Sequence, residues 1–491
     1  MQYLAQAPLS RGAGASSSSL QVRPVTHDTP IACGMAADPA ECRAFLQDNP
    51  DIRYVEILFT GMSGVPRGKR LRRHELQAVY DYGRFLPGSV QVVDITGQDA
   101  YDTGLVWENG DADMLARPAP GTLVRAPWLG DDTAQVLCSM HELDGTPSDL
   151  DPRAVLQRVI DRFTADGLTP VTACELEFYL VDAQRTADGG LQAARHRVSG
   201  ERARLNGVYG LDEMEEIAPF LRDLWETADI QGVPLEGAIA EYGVGQVELT
   251  LKHKPDALRA CDDAVMYKRL AKGVAQRHGL AATFMAKPFA DQAGSGLHLH
   301  VSVADGQGPN IFASEDPEGD PRLKHAIGGM KALLGPSMVI FAPNANSFRR
   351  FRANSYAPVA PTWGINNRTV SLRIPAGPAS TRHVEHRVAG ADANPYLAVA
   401  ALLAGVHYGL KNRCDPGPKV EGDGYAAAAR MDLRLPSNWF AAIEAFEQSE
   451  VLNDYFGARF VKMFCALKRQ EQDRFFEVVT RLDLDWYLHN A

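Results

Sequence analysis

Three segments of the chain place acids or imidazoles on one face of a strand and apolar residues on the other, and this pattern constrains the fold most. In residues 173–180, Glu175 and Glu177 are separated by one residue inside a run typical of a β-strand. Successive side chains of a strand point to opposite faces, so the two glutamates share one face while Cys174 and Leu176 lie on the other. Paired carboxylates on a half-buried strand repel each other and lose hydration, so we expect a cation, most simply a divalent one, beside them.

The same alternation recurs twice further along the chain, and an isolated acid follows. One segment carries Glu241 and Glu248, the next carries His298 and His300, and Glu385 lies among arginines. The candidate metal ligands are therefore Glu175, Glu177, Glu241, Glu248, His298 and Glu385. Carboxylate-rich ligation favours Mg²⁺, or Mn²⁺ where a histidine joins, and this many ligands implies two or more ions. Multi-metal carboxylate sites most often handle phosphates, because the ions bridge and neutralise phosphoryl oxygens.

Arginines are concentrated between residues 349 and 387, on segments too apolar for a solvated charged surface. The set comprises Arg349, Arg350, Arg352, Arg368, Arg373, Arg382 and Arg387. Guanidinium groups bind phosphate and carboxylate oxygens through paired hydrogen bonds. Metals and arginines together indicate ATP and an acidic co-substrate.

Each of these signals also has an ordinary explanation. A single pair of alternate glutamates is usually exposed charge, a single His-x-His pair is usually structural, and an arginine cluster is usually a salt-bridge network. Their occurrence together favours the functional interpretation. Residues 61–69 are not a phosphate loop, because Ser63 stands where the first glycine of G-x-x-x-x-G-K is required and Arg70 where the Mg²⁺-binding Ser or Thr is required. This segment predicts a tight hairpin turn, with a functional role as the alternative.

Charge and composition limit the partners. The net charge is −11 and no long basic run is present, so we expect no nucleic acid partner. The seven cysteines are scattered and form no C-x-x-C pair, which favours reduced thiols in the cytoplasm. No secretory signal is evident, and residues 396–407, the longest apolar run, are too few to span a bilayer. We therefore expect a cytoplasmic protein without a membrane partner.

The chain length allows two domains. We expect residues 1–35 to be a disordered tail, residues 36–145 a strand-rich N-terminal domain, and residues 146–491 a larger catalytic domain. Breakers and alternation predict strands at residues 53–59, 89–95 and 133–139, a helix at 153–166, and a closing helical hairpin at 439–482. Pro152 is expected at the first position of its helix, after an Asp cap.

In order and spacing, these motifs resemble the glutamine synthetase superfamily over roughly residues 50–480. The matching segments are residues 175–177, 241–248, 287–288, 294–302, 346–350, 367–375, 385–387 and 391–396. The resemblance implies an α+β fold with a small β-grasp-like N-terminal domain and a large catalytic domain, whose curved antiparallel sheet is flanked by helices. It also implies a double-ring homo-oligomer, a dodecamer, with active sites between neighbouring subunits.

The resemblance also implies a role for each matching residue. One metal would be held by Glu177, Glu241 and Glu248, and the other by Glu175, His298 and Glu385. ATP contacts would come from Glu236, His300, Ser302, Arg368 and Arg373, and glutamate contacts from Gly294, Arg350 and Arg387. Among these, Arg350, Arg368 and Arg373 would be catalytic, because they stabilise charge on the transferring phosphoryl group.

The implied reaction joins glutamate to an amine. The γ-carboxylate attacks the terminal phosphoryl of ATP, and an amine then displaces phosphate from γ-glutamyl phosphate. Ammonia-using members carry acids where this chain has Gly61 and Tyr356, and an asparagine where it has Ala293. These departures resemble the γ-glutamylpolyamine synthetase branch, which uses putrescine or related amines, and make Gly61 and Tyr356 the expected amine pocket. An ammonia-using glutamine synthetase and a non-catalytic structural or regulatory relative are the alternatives.

Overall fold

The structure is a computed structural model that describes residues 35–204 and 207–491. The predicted tail, residues 1–35, lies outside this part except for its last residue. Two sheets organise the described chain, a smaller one in its N-terminal part and a larger one after residue 167.

The smaller sheet has the order β2-β1-β6-β4-β3, and β5 pairs with β6. Its strands are β1 (Tyr54–Thr60), β2 (Pro66–Arg72), β3 (Arg84–Pro87), β4 (Asp113–Pro118), β5 (Val124–Arg125) and β6 (Thr133–His141). The β1–β6 pair is parallel and the other pairs are antiparallel. The predicted hairpin turn is confirmed at residues 61–65, between the paired Thr60 and Pro66, whereas residues 66–69 already belong to β2.

Two of the three strands predicted in this region are confirmed, as β1 and β6. The third, at residues 89–95, is wrong, because a 3₁₀ helix covers Gly88–Val92. The backbone carbonyls of this segment accept hydrogen bonds from loop residues and not from a neighbouring strand. The carbonyl of Gln91 accepts from the N–H of Met62, and that of Val92 from the N–H of Ala100. Alternating apolar residues can also be buried by such a tight turn.

The larger sheet has the order β12-β13-β14-β11-β7-β9-β8, and β10 pairs with β7. Its strands are β7 (Leu168–Asp182), β8 (Leu235–Ala240), β9 (Gln246–Leu251), β10 (Leu280–Thr283), β11 (Leu297–Asp305), β12 (Trp363–Ile365), β13 (Leu372–Ile374) and β14 (Val384–His386). All its pairs are antiparallel except β12–β13. The predicted architecture, a mainly antiparallel sheet flanked by helices, is confirmed.

Helices surround the two sheets. In the described chain they are α1 (Pro39–Asp48), α2 (Leu76–Tyr82), α3 (Pro152–Ala165), α4 (Leu211–Glu216), α5 (Ala218–Gln231), α6 (Ala257–Arg277), α7 (Pro321–Leu334), α8 (Met338–Phe341), α9 (Pro395–Asn412), α10 (Gly424–Arg430), α11 (Trp439–Glu447), α12 (Glu450–Phe456), α13 (Ala458–Phe476) and α14 (Arg481–Tyr487). None of these helices combines the length and the apolar character that crossing a membrane requires.

Helix starts follow the sequence signals closely, whereas the C-terminal helices do not. The carboxylate of Asp151 accepts from the backbone N–H of Arg153 and Pro152 opens α3, as predicted. The expected hairpin at residues 439–482 is wrong, because the segment forms α11 to α13 and the start of α14. Ser449 caps α12, and Gly457, with a φ of 87°, separates α12 from α13. The breaks at Ser449 and Gly457 therefore split the apolar pattern, which is continuous in the sequence, into separate helices.

A buried ion pair ties three helices together behind the larger sheet. Arg153 of α3 donates to both carboxylate oxygens of Asp262 on α6, at 2.9 and 3.1 Å. The hydroxyl of Tyr396 on α9 donates to the same carboxylate at 2.7 Å. The network fixes the helices on which β7 rests, and with them the position of the acids on its other face.

Candidate active site

Four strands of the larger sheet bring the predicted metal ligands together. The neighbours in the sheet are β14, β11, β7 and β9. Their register places opposite one another Glu175 and His298, Glu177 and Glu248, and His300 and Glu385. The apolar residues on either side of Glu175, Cys174 and Leu176, are fully buried. The two-faced strand predicted from the sequence is therefore confirmed.

The imidazole of His298 lies at the centre of the acids. Its Nδ1 is 2.6 Å from Oε1 of Glu175 and 3.9 Å from Oε1 of Glu385. Its Nε2 is 3.7 Å from Oε1 of Glu177. Glu175, Glu248 and His298 each offer a ligand atom within 4.8 Å of the other two. The structure thus gathers most of the predicted ligands around one side chain.

Glu241 reaches the cluster from a turn. It follows β8, and its backbone N–H donates to Gln246 across the tight connection to β9. The alternating strand expected across residues 241–248 is wrong at this end, because Gly245 takes a φ of 77° and the chain reverses there. The turn still leaves Glu241 close enough to Glu177 for their charges to interact.

Around Glu241 and Glu248, the negative charge of the cluster is not balanced by nearby positive side chains. Burial, followed by the charges of Glu175 and Glu177, raises the pKa of Glu248 to about 10. Burial and the charge of Glu177 raise the pKa of Glu241 to about 7. A divalent cation would stabilise the ionised forms of both groups, so this donor set fits such an ion.

Glu385, on the other side, is already compensated. Burial alone would raise its pKa, but the charges of Arg387, His298 and His300 lower it to about 2. Arg373 donates to its Oε2 at 2.7 Å and Arg387 donates to its Oε1. Glu385 is therefore an ionised carboxylate shared by two guanidinium groups.

A glutamine that the sequence reasoning missed positions one of the acids. The side-chain amide of Gln246 donates to Oε2 of Glu177 at 3.0 Å and to the carbonyl of Gly294 at 3.1 Å. The backbone N–H of Gly296 donates to the same Oε2 at 2.8 Å. Gln246 stands between Glu241 and Glu248, so its inward position could have been read from the strand period.

The predicted glutamate-binding residues lie together. Arg350 is buried, and its Nη1 donates to the carbonyl of Val388 at 2.6 Å. A Cβ at Gly294 would lie 2.6 Å from Cγ of Arg350 and 2.8 Å from the carbonyl oxygen of Ala286. Glycine is thus required at position 294 for the close approach of Arg350. The Nη2 of Arg350 also donates to the backbone carbonyl of Arg387, at 3.3 Å.

The predicted ATP-binding residues lie on three strands of the sheet, β8, β11 and β13, and in the loop after β12. Ser302 follows His300 by two residues on β11, so both face the acids. Glu236 lies on β8, where its carbonyl accepts from the indole of Trp225. Arg368 and Tyr356 line the same open cavity of about 560 Å³ beyond β12.

The two predicted amine-pocket residues lie in different surroundings. Tyr356 stacks on Tyr242, with ring centroids 5.4 Å apart and planes 27° apart, and its φ of 56° is rare for a residue other than glycine. Gly61 lies in the β1–β2 turn, where its carbonyl accepts from Asn394 at 3.1 Å and a Cβ would lie 3.1 Å from the carbonyl oxygen of Gln91. Within residues 35–204 and 207–491, the hydrogen bonds and ring contacts described for Gly61 and Tyr356 do not join the two residues.

Comparisons with known proteins show what this chain is similar to. Residues 149–487 match the family model described as glutamine synthetase, catalytic domain. The chain is 40% identical over 451 residues to gamma-glutamylputrescine synthetase PuuA of Escherichia coli (strain K12), covering 92% of this chain and 95% of that protein. It is 34% identical to glutamate–isopropylamine ligase of a Pseudomonas species, covering 78% and 83%.

A solved structure shares the fold. Apo GmaS without ligand superposes with a TM-score of 0.79 at 27% identity, over 91% of this chain and 99% of that one. The acids and arginines of the site fall inside the region matched by the family model. The chain therefore belongs to the glutamine synthetase family.

Proposed function

We propose that this protein is an ATP-dependent ligase that joins the γ-carboxylate of glutamate to a primary amine, putrescine or another polyamine. The observation that carries the proposal is the cluster of Glu175, Glu177 and Glu385 around His298, together with an amine position where Tyr356 replaces an acid. Relatives named for putrescine, isopropylamine and ethanolamine support ligation to an amine larger than ammonia.

Divalent ions and ATP belong to this proposal. Members of the glutamine synthetase family use both. Two or more Mg²⁺ or Mn²⁺ ions would be held by Glu177, Glu241 and Glu248 on one side and by Glu175, His298 and Glu385 on the other. Bound there, such ions would neutralise the charge that develops on the transferring phosphoryl group. The raised pKa values of Glu248 and Glu241 support this assignment.

The chain's own residues bind and orient the substrates. Gly294, Arg350 and Arg387 would hold glutamate, and Glu236, His300, Ser302, Arg368 and Arg373 would hold ATP. The γ-carboxylate attacks the terminal phosphoryl group and ADP leaves. The amine then attacks the carbonyl of γ-glutamyl phosphate, loses a proton and displaces phosphate. Arg350, Arg368 and Arg373 stabilise the charge of the phosphoryl group during its transfer.

Two tyrosines favour an amine with a hydrocarbon chain. Tyr356 and Tyr242 present a stacked aromatic surface, 47% and 45% exposed, where an acid would suit ammonium. Aromatic faces attract an alkylammonium group through both apolar contact and cation–π attraction. The second ammonium of a diamine would be held here while the first amine reacts.

The complete site is proposed to form between subunits of a cytoplasmic double ring of twelve chains. Gly61 and Tyr356 share no described contact within one chain, so the Gly61 turn would serve the site of a neighbour. Exposed apolar side chains at the C-terminus, among them Trp486 and Leu488, support an assembly that covers them.

The amine profile tests the proposal. Phosphate release is measured with ATP, Mg²⁺, glutamate and, in turn, putrescine, spermidine, ethanolamine, monoamines and ammonium. We expect kcat/KM for putrescine to exceed that for ammonium by at least about 100-fold, the scale of discrimination a shaped pocket supplies. Equal or greater efficiency with ammonium would overturn the polyamine assignment in favour of a glutamine synthetase. Failure to bind Mg-ATP in calorimetry would instead indicate a non-catalytic relative.

A pair of variants locates the selectivity. Tyr356→Ala should raise the KM for putrescine about tenfold or more while the KM for glutamate stays close to wild type, the loss expected for an aromatic contact with a cation. Tyr101→Ala is the matched control, because Tyr101 is similarly exposed and also stacks on an aromatic neighbour, Trp107. Equal effects of the two substitutions would contradict a role for Tyr356 in amine binding.

A further inference from the structure

Three histidines converge beside the acidic cluster, and the proposed reaction explains only one of them. His300 lies on β11, His253 follows β9, and His383 precedes β14. Their ring centroids are 5.3 to 5.5 Å apart in every pair. Each ring offers a nitrogen within 4.8 Å of a nitrogen of the other two. His300 is buried, His383 half-buried and His253 exposed.

Hydrogen bonding defines which nitrogens can act as ligands. Nδ1 of His383 lies 2.7 Å from the carbonyl oxygen of Thr381, which can only accept, so that nitrogen carries the hydrogen. In neutral His383, Nε2 then carries the lone pair. This nitrogen lies 3.2 Å from Nδ1 of His300. Nε2 of His300 is buried without a hydrogen-bond partner and faces Oε2 of Glu175 at 3.6 Å.

With its ring hydrogen on Nε2, towards Glu175, His300 presents the lone pair of Nδ1 to Nε2 of His383. In this tautomer the two nitrogens can bind one cation. A histidine that binds a metal usually donates its other ring N–H to a carboxylate or a carbonyl. Glu175 and the Thr381 carbonyl occupy these two positions.

The ligand type selects the ion. Imidazoles suit borderline ions such as Zn²⁺ rather than Mg²⁺, which prefers oxygen. Zn–N bonds of about 2.0–2.1 Å at tetrahedral angles place two ligand nitrogens about 3.3 Å apart. The 3.2 Å between His300 and His383 agrees with this spacing. The exposure of His253 leaves a path for the ion and for a fourth, non-protein ligand.

We propose that His253, His300 and His383 bind one borderline divalent cation of the Zn²⁺ type, at a site separate from the carboxylate-rich metal cluster. The site uses His300, which is assigned above to ATP, so its occupation competes with that contact. Zn²⁺ should therefore raise the KM for ATP at saturating Mg²⁺. This inference goes beyond the ligase reaction and does not depend on the identity of the amine.

Co²⁺ is the probe, because tetrahedral Co²⁺ absorbs visible light much more strongly than Co²⁺ in an octahedral oxygen site. The full-length protein is titrated with Co²⁺ in excess Mg²⁺, without ATP, glutamate or amine. We expect one strongly absorbing Co²⁺ per chain, displaced by one Zn²⁺. His383→Asn and His253→Asn should each weaken Co²⁺ binding at least about 10- to 100-fold. Substituting a residue that only hydrogen-bonds to a metal ligand already causes a loss of this size.

Two control variants separate this site from its surroundings. His278→Asn removes a histidine that pairs with Asp223 at 2.8 Å elsewhere in the fold, and should keep the absorption unchanged. Glu248→Gln alters the acidic cluster and should keep it as well. Because His253 is exposed, its substitution leaves the core intact. Two results would overturn the proposal. One is the absence of strong absorption in the wild-type protein, which is the result expected if the His300–His383 pair is protonated; the other is absorption that persists in both His383→Asn and His253→Asn.

Discussion

At the scale of single residues, identical side chains in the site differ in charge because their neighbours differ. Glu248 on β9 is half-buried; desolvation and the charges of Glu175 and Glu177 raise its pKa to about 10. Glu385 on β14 is more deeply buried, but Arg387 and two imidazoles lower its pKa to about 2. The first therefore holds a proton where the second is ionised. A bound divalent cation would remove this difference.

Glu248 should make stability depend on pH in a way that metal reverses. An acid with a raised pKa in the folded state keeps its proton while the unfolded chain has lost it above about pH 4.3. Without metal, the Glu248 contribution to the free energy of unfolding therefore falls as pH rises, by up to about 1.4 kcal/mol per pH unit, until pH passes the folded pKa near 10. Above pH 7, Glu241 adds little, since its own pKa is about 7.

The measurement compares Tm between about pH 7.5 and pH 9, in chelator and in Mg²⁺. In chelator, wild type should lose Tm relative to Glu248→Gln as pH rises, and Mg²⁺ should remove the difference in slope. The variant should also lose most of its ligase activity. Glu444→Gln, on the exposed face of α11, is the control and should follow wild type. Parallel curves for wild type and Glu248→Gln in chelator would refute the assignment.

Sequence reasoning reached the residues of this cluster but not their surroundings. The period of a strand identifies Glu175 and Glu177 as neighbours on one face, and the register confirms it. It does not reveal that Arg373 and Arg387 converge on Glu385, because those contacts depend on strand order in the sheet. Nor does it reveal His383 beside His300, since these residues are 83 apart in the chain.

At the scale of elements, local chemistry predicts the starts of helices better than their ends or lengths. Asp151 with Pro152 and Asn394 with Pro395 begin α3 and α9 because their side chains accept from the backbone of the first turn. The breaks within the C-terminal helices also carry local signals, the Ser449 cap and Gly457, but the apolar pattern of residues 439–482 continues across both and conceals them.

The ion pair behind the sheet should be the most sensitive link between elements. Asp262→Asn leaves the guanidinium of Arg153, which is 5% exposed, without its charge partner. Loss of one member of a buried pair costs about 3–5 kcal/mol. We expect a reduction of that size in the free energy of unfolding, measured with urea. The double variant Arg153→Met/Asp262→Leu should recover much of it, because it removes both charges.

The exposed Asp161 of the same helix α3 provides the control. Its carboxylate contacts only the side chain of Gln157, at 2.8 Å, among the hydrogen bonds described for it. Asp161→Asn should change stability by no more than about 0.5 kcal/mol. If the double variant were as unstable as Asp262→Asn, the network would act by packing rather than by charge.

At the scale of the whole molecule, one end of the chain carries apolar surface that a single subunit leaves uncovered. The exposed fractions of Val478, Val479, Trp486 and Leu488 are 63%, 74%, 58% and 65%. Apolar side chains grouped in this way usually mark an interface. The order of motifs along the chain predicted the fold but not this surface. Val478, Val479 and Leu488 lie outside the short helix α14, and the apolar residues within α14 alternate with charged ones.

The proposed double ring gives this surface a testable role. If the C-terminal segment joins two rings, Trp486→Ser/Leu488→Ser should yield assemblies of half the wild-type mass by analytical ultracentrifugation, with thermal unfolding close to wild type. Ligase activity per chain should persist, because the sites are proposed to lie within a ring. Val198→Ser is the control, because this side chain is 78% exposed in a loop distant in sequence from the C-terminal segment. It should leave the mass unchanged. An unchanged mass in the double variant would move the ring contact elsewhere, and release of monomers would show that the segment holds neighbours within a ring.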